Sequence, residues 1–376
     1  LLSFISNFHK LNHFLFNLLL TENWNGLKLK YKYKNTGKQV LKQTRLVMDS
    51  LTSLIDKGPH LKEWIGHSMI ERFYQSLANK LGATTHYFRG SEWWMDEYTI
   101  PYLKIDRDHS ETLLYLHGFS DRKESFLLVA RHLAKTFNII IPDGPGFGKT
   151  IKNHSLPYQI EHYARWFEHF IREVAEPPIW IVGNSAGGAI ASKLAFLYPD
   201  LVKLCIPVSP ALYYNLGHNP FFEEFAEGKF LFFVSDQKDY DYYLTRIFHK
   251  EIKPIRFITD AILAEFIRNR FWYKHMIETN LKGFHSDLKE LEETGFFLNN
   301  ELEKTNVPFH FLWGEFDTLF PSETPKYLQT INPAIKYDLV KNCGHAPHVE
   351  KPLTLARMIL SIYKENRHLR TRWNQW

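Results

Sequence analysis

Ile179-Trp180-Ile181-Val182-Gly183-Asn184-Ser185-Ala186-Gly187-Gly188 is an apolar run that stops at a glycine, turns at a serine, and leads into the helix-like segment 189–197. A serine on a sharp strand-to-helix turn is backbone-strained, and it needs small neighbours so that strand and helix do not collide around it. Gly183, Ala186, Gly187 and Gly188 meet that need. Such a turn holds the Ser185 hydroxyl clear of a sheet edge and aims the Ala186 N–H at the place where an oxyanion would form. A glycine-rich turn without chemistry would look the same, so the decision rests on partners elsewhere in the chain.

A serine hydroxyl attacks well only when an imidazole takes its proton and a carboxylate fixes that imidazole. Phe309-His310-Phe311-Leu312-Trp313 reads as a buried strand and runs into Gly314-Glu315-Phe316-Asp317, which presents Asp317 at a strand end. Tyr337-Asp338-Leu339-Val340 reads as the next strand and runs into Asn342-Cys343-Gly344-His345. The order Ser, Asp, His, with a long gap and then a short one, suits a sheet carrying an insertion before the acid-bearing strand. Upstream, 112–116 is a strand candidate ending in His117-Gly118-Phe119-Ser120, and the Phe119 N–H is the expected second oxyanion donor. His117, early in the chain order, is read as organising its loop and not as the base.

Together, Leu116-His117-Gly118-Phe119, the run Asp143-Gly144-Pro145-Gly146-Phe147-Gly148, the elbow, Trp313-Gly314-Glu315-Phe316-Asp317 and Gly344-His345 resemble the α/β-hydrolase superfamily over roughly residues 85–365. The stretches 117–126 and 342–352 look most like its monoacylglycerol lipase and carboxylesterase branch. The resemblance implies Ser185 as nucleophile, Asp317 as acid and His345 as base, in agreement with the reading of the residues. Epoxide hydrolases and haloalkane dehalogenases of the superfamily attack with aspartate, which Ser185 replaces here. Meta-cleavage C–C hydrolases share the elbow pattern. They differ at the oxyanion loop, where this chain has Phe119-Ser120-Asp121-Arg122, and after the histidine, where it has Ala346. A non-catalytic binding module on the same fold is the alternative from another class, disfavoured because every triad and oxyanion position is filled.

Gly144-Pro145-Gly146-Phe147-Gly148-Lys149-Thr150 superficially suggests a phosphate loop, but Asp143 stands where that pattern needs glycine, and Pro157 follows without a helical period. Asp143 is better read as anchoring a tight turn. No cofactor or metal is implied: among 19 histidines no zinc-protease helix pattern occurs, and His345 with His348 makes only a lone pair. The formal charge of +5 is spread over 46 basic and 41 acidic residues without a reader motif, which disfavours nucleic acid. Two cysteines exclude a disulfide framework.

The 376 residues, 44% hydrophobic and 16% aromatic, suffice for a large core. The expected architecture is α/β: a mostly parallel central sheet covered by helices on both faces, with core segments 84–209 and 307–366. Strands are expected at 112–117, 138–142, 179–183, 203–208, 308–313 and 336–340, after a two-stranded meander over 84–106. Helices are expected at 124–135, 158–174, 186–197, 323–330 and 352–366. Residues 210–306, rich in Phe and Tyr, read as a helical cap, from which Phe222 and Trp272 are the expected substrate-binding side chains. Residues 1–83 form an N-terminal helical extension. Leu1, Phe4, Ile5, Phe8, Leu11 and Leu15 recur at helical spacing and Lys28, Lys30, Lys32 and Lys34 follow, a pattern suited to docking on the body or to peripheral membrane contact. No apolar run there approaches ~18 residues, and no signal-peptide pattern appears. The chain begins with leucine, which leaves room for an upstream anchor. Residues 367–376 form a basic, aromatic tail. The expected location is cytoplasmic or peripheral at a membrane, with a small-molecule or lipid ester as partner.

Overall fold

The computed structural model describes residues 59–90, 99–213, 219–251, 255–281 and 296–369. The amphipathic run near the N-terminus, the lysine strip, Trp93, Trp94 and residues 370–376 of the C-terminal tail lie outside the described residues. The chain divides into two compact units, one of residues 1–76 with 254–265 and one of 77–253 with 266–376.

In the first unit, the helix Pro59–Leu81 and the start of the helix Arg256–Asn280 meet at Gly66. A Cβ there would lie 1.9 Å from the Phe257 carbonyl oxygen and 2.7 Å from the Ala261 Cβ, so only glycine allows the approach.

The second unit holds an eight-stranded sheet in the order β1-β2-β4-β3-β5-β6-β7-β8. The strands are β1 (Thr84–Arg89), β2 (Thr99–Ile105), β3 (Thr112–Leu116), β4 (Asn138–Pro142), β5 (Ile179–Asn184), β6 (Val202–Val208), β7 (His310–Gly314) and β8 (Lys336–Val340). β1, β2 and β4 pair antiparallel, and all other pairings are parallel. Ile139-Ile140-Ile141 and Ile179-Trp180-Ile181-Val182 are almost wholly buried along their length, as strands covered on both faces must be. Burying each such large side chain contributes on the order of 1.5–3 kcal/mol.

The helix Ile160–Val174 follows its sequence period: Tyr163, Ala164, Trp166, Phe167, Phe170 and Ile171 form its buried stripe. It packs on the helix Ala186–Leu197, whose Gly187, Gly188, Ala189, Ala191 and Ala195 allow burial nearly all round. The helix Pro352–Asn366 buries Leu355, Ala356, Ile359 and Ile362 and packs on Leu127–Leu133. That last helix is shorter than expected. Residues Lys123–Phe126 wind as a 3-10 turn instead, pulled in because the Lys123 backbone N–H donates to Asp143.

The β3-to-β4 connection runs one way along the sheet and the β5-to-β6 connection the other. Right-handed crossovers therefore place their helices on opposite faces. The reversal falls between β3 and β5, and open α/β sheets bind ligands outside the carboxyl ends of strands at such a point. Those two strands end in His117-Gly118-Phe119 and in Ser185.

Candidate active site

Ser185 adopts φ 54° and ψ −120°, a region that non-glycine residues occupy only when the surroundings fix them. Four backbone hydrogen bonds do so here. Its N–H donates to the Val208 carbonyl at 2.9 Å, and its carbonyl accepts from Gly188 (2.9 Å), Ala189 (3.1 Å) and Ala211 (3.1 Å). The flanking glycines are demanded sterically: a Cβ on Gly183 would stand 2.1 Å from the Gly187 carbonyl oxygen, and one on Gly187 would stand 2.2 Å from that of Leu116. Ala186 opens the following helix, so its N–H has no intrahelical acceptor.

The ends of β7 and β8 converge on the same rim. The Glu315 N–H donates to Val340 O at 3.1 Å and that of Phe316 to Cys343 O at 2.9 Å, while Gly314 passes so close to Gly344 that a Cβ would stand 1.9 Å from its oxygen. This brings His345 Nδ1 to 2.9 Å from Asp317 Oδ2. Asp317 Oδ1 accepts from the N–H groups of Leu319 (2.9 Å) and Phe320 (3.1 Å), so both oxygens are engaged. A carboxylate oxygen accepts, so the tautomer that fits this contact has Nδ1 of His345 as donor and Nε2 as the ring's acceptor.

Asn184 ties the elbow to this pair, which nothing in the one-dimensional pattern announced. Its side-chain amide donates to Val208 O at 3.0 Å and to His345 O at 3.1 Å. The His345 N–H donates in turn to Ile247 O at 2.8 Å, and Gly344 N–H to Glu350 Oε2 at 2.8 Å. Ser185, Asp317 and His345 are 7%, 7% and 3% exposed, so the assembly is shielded from bulk water.

The loop after β3 lies against the elbow: a Cβ on Gly118 would be 3.2 Å from the Ser185 Cβ. His117 organises this loop. Its Nδ1 is 2.8 Å from Gly118 O, and its Nε2 accepts from the Gly144 N–H at 2.7 Å. An acceptor Nε2 requires a neutral ring. Asp143, fully buried, accepts from Lys123 Nζ at 2.6 Å and from the N–H groups of Lys123 (2.9 Å) and Lys149 (3.0 Å). The phosphate-loop look-alike is thus a carboxylate-centred turn. Burial raises the pKa of the neighbouring Glu124, but Arg122 and Lys123 outweigh it and hold the carboxyl down at about 2.

Aromatic rings, several of them from the connection between β6 and β7, link the loop after β3 to His345. Phe119 lies 4.7 Å from Phe232, 5.0 Å from Phe147 and 5.4 Å from Tyr273 between ring centroids. Phe232 contacts Phe221, Phe221 contacts Phe320, and Phe320 meets His345 edge-on at 5.3 Å. Phe222 is 1% exposed and edge-on to Phe221, Phe296 and Phe297. Trp272 donates its Nε1–H to Gly146 O at 2.8 Å and packs on Tyr158 and His154. Cys343 is buried, and burial, then the Glu350 carboxylate, pushes its thiol up, so it offers no thiolate. Among the described residues no three His, Cys, Asp or Glu side chains gather to hold a metal ion, and no helix is long and apolar enough to cross a membrane.

Residues 111–352 match the family model described as alpha/beta hydrolase fold. The human (Homo sapiens) monoacylglycerol lipase ABHD6 is 24% identical over 68% of this chain and 75% of its own length. Lipase 1 of Psychrobacter immobilis is 28% identical over 64% and 73%. In three dimensions, a bacterial membrane phospholipase A superposes with a TM-score of 0.72 at 20% identity, over 88% of this chain and 99% of that one. Carboxylesterase CesB of Bacillus subtilis gives 0.60 at 17% identity, over 81% and 97%. With the family match spanning most of the sheet, its strand order and its elbow, the chain belongs to the α/β-hydrolase family, and its lipase relatives support ester hydrolysis at a general level.

Proposed function

We propose that this protein is a serine hydrolase that cleaves carboxylic esters of lipid-like acids, monoacylglycerols or medium-chain acyl esters, through an acyl-enzyme. The observation that carries the reading is the His345–Asp317 pair at 2.9 Å, tied to the elbow by Asn184, the residue before a strained serine. Ser185 Oγ attacks the carbonyl as His345 Nε2 takes its proton. The new oxyanion accepts from the N–H groups of Phe119 and Ala186, each such donor being worth roughly 3–4 kcal/mol in the transition state. His345 then protonates the leaving alcohol, and water, activated by the same imidazole, releases the acid. Asp317 stays ionised and supports the imidazolium.

The relatives named monoacylglycerol lipase and lipase support the lipid-like substrate class. So does the apolar wall. In this reading Phe221, Phe232, Phe320 and Tyr273 face the acyl chain, Phe222 and Trp272 back them, and the segments 219–251 and 266–281 act as a cap that keeps water from the tetrahedral intermediate. The N-terminal extension, residues 1–83, is the proposed source of peripheral membrane contact.

A series of p-nitrophenyl esters from acetyl to palmitoyl, with 1-monoacylglycerols alongside, tests the substrate class. kcat/KM is expected to rise from acetyl to a medium-chain maximum, since each buried methylene adds up to ~0.8 kcal/mol. Phe221→Ala is expected to lower the medium-chain value about 10- to 100-fold while acetyl ester hydrolysis falls much less. A rate independent of acyl length, or monoacylglycerols untouched while the acetyl ester is turned over fast, would remove the lipid assignment.

A further inference from the structure

Three residues beyond His345, a second histidine–aspartate pair reaches across to the oxyanion loop. His348 sits on the short helix Pro347–Glu350, only 3% exposed, with its Nε2 3.1 Å from Asp121 Oδ2. The same carboxylate oxygen accepts from Ser125 Oγ at 2.8 Å. Asp121 closes the turn by its backbone, its N–H donating to Gly118 O at 3.3 Å. Inside that turn stand Phe119, the proposed oxyanion donor, and Ser120, held at a left-handed φ of 59°.

We propose that Asp121 and His348 are positioning residues that hold the Phe119 N–H on the oxyanion. The proposal rests on the serine-hydrolase reading above. One long backbone bond spans the turn 118–121, and its Ser120 conformation is one that L-residues rarely adopt. The Phe119 ring packs on Phe147, Phe232 and Tyr273, and the carboxylate of Asp121 fastens the far end of the turn to a buried ring. His348 is braced by Tyr115, whose ring lies 6.0 Å away and is itself stacked on Phe126. With Nε2 turned to Asp121, His348 Nδ1 is buried without a hydrogen-bond partner, so the only polar bond of the ring is the one that fastens Asp121. The pair thus joins the loop that bears the oxyanion donor to the loop that bears the base, and fixes their separation. Neither side chain touches the reacting atoms, and the effect runs through the backbone of the turn.

A matched pair of substrates, a carboxylic ester and its thionoester, separates this role from general support, because a thiocarbonyl sulfur accepts hydrogen bonds poorly and gains little from an oxyanion hole. His348→Leu is expected to lower kcat for the oxygen ester about 10- to 100-fold, as misplacement of a transition-state contact does, with KM within about twofold. The thionoester rate is expected to fall less than about threefold, so the ester/thionoester ratio collapses. His348→Gln, which keeps an amide donor, is expected to recover much of the loss. Asp121→Asn reads the same ratio should His348→Leu not fold. Equal losses on both substrates, or an unchanged ratio in folded His348→Leu, would overturn the pair's role. A wild-type enzyme without preference for the oxygen ester would instead overturn the oxyanion reading beneath it.

Discussion

Asp317→Asn is expected to lower kcat for ester hydrolysis about 10⁴-fold, with KM and melting temperature little changed. The size of the effect follows from how the carboxylate is held. Oδ1 accepts two backbone N–H groups, from Leu319 and Phe320, while Oδ2 alone faces His345 Nδ1. An asparagine at 317 must keep its oxygen toward the two backbone donors, because turning its NH2 to them would leave three donors facing one another. Its NH2 therefore points at His345 and donates to Nδ1. The imidazole proton then moves to Nε2, the atom that should receive the Ser185 proton. The site stays intact but holds the wrong tautomer. Steady-state kinetics alongside thermal melting checks this, and a loss below about tenfold would mean that Asp317 does not set the tautomer.

Gly187→Ala sets two principles against each other. On helix propensity alone, alanine for glycine in the helix Ala186–Leu197 should stabilise by about 1 kcal/mol. The added Cβ, however, would stand 2.2 Å from the Leu116 carbonyl oxygen and 2.5 Å from that of His117. Both are backbone atoms at the end of a buried strand, and neither swings aside like a side chain. The steric effect wins. A net destabilisation of about 3 kcal/mol is expected, at the upper end of overpacking costs, which lowers the melting temperature by roughly 6–12 °C. Because those carbonyls lead into Gly118 and Phe119, a shift of about 1 Å also misplaces the proposed oxyanion donor and lowers kcat about 100-fold. A melting temperature at or above that of the wild type would contradict the close approach of the helix to β3.

The candidate site was legible in the sequence where chemistry demands small residues next to a functional one. Gly183, Gly187 and Gly188 announced the turn at Ser185, apolar runs of strand length announced β3 to β8 and so a mostly parallel sheet, and five motifs in order carried the α/β-hydrolase resemblance. Order along the chain selected Asp317 and His345 as candidate acid and base, which the structure brings to 2.9 Å. Contacts made through main-chain atoms were not legible. Asn184 is one letter among many amides, and its bond to the carbonyl of His345 depends on the approach of two loops distant in sequence. The aromatic rings of 210–306 share one composition whether they line a pocket or pack behind it. Phe221 and Phe222 differ only in which side of a short helix they leave from, and Trp272 is drawn to Gly146 by its indole N–H. Asp143 was readable as a turn anchor, since a carboxylate among glycines collects N–H donors, but its partner Lys123 lies across the fold.

The central claim is that Ser185 forms a covalent acyl intermediate through His345 and Asp317. Intact-protein and peptide mass spectrometry after treatment with a fluorophosphonate, and after rapid quench with a p-nitrophenyl ester, tests it most directly. The account predicts one adduct per chain on the peptide that carries Ser185, absent in Ser185→Ala, which keeps its fold and loses hydrolysis. An adduct on another residue, or undiminished ester hydrolysis by Ser185→Ala, would contradict it.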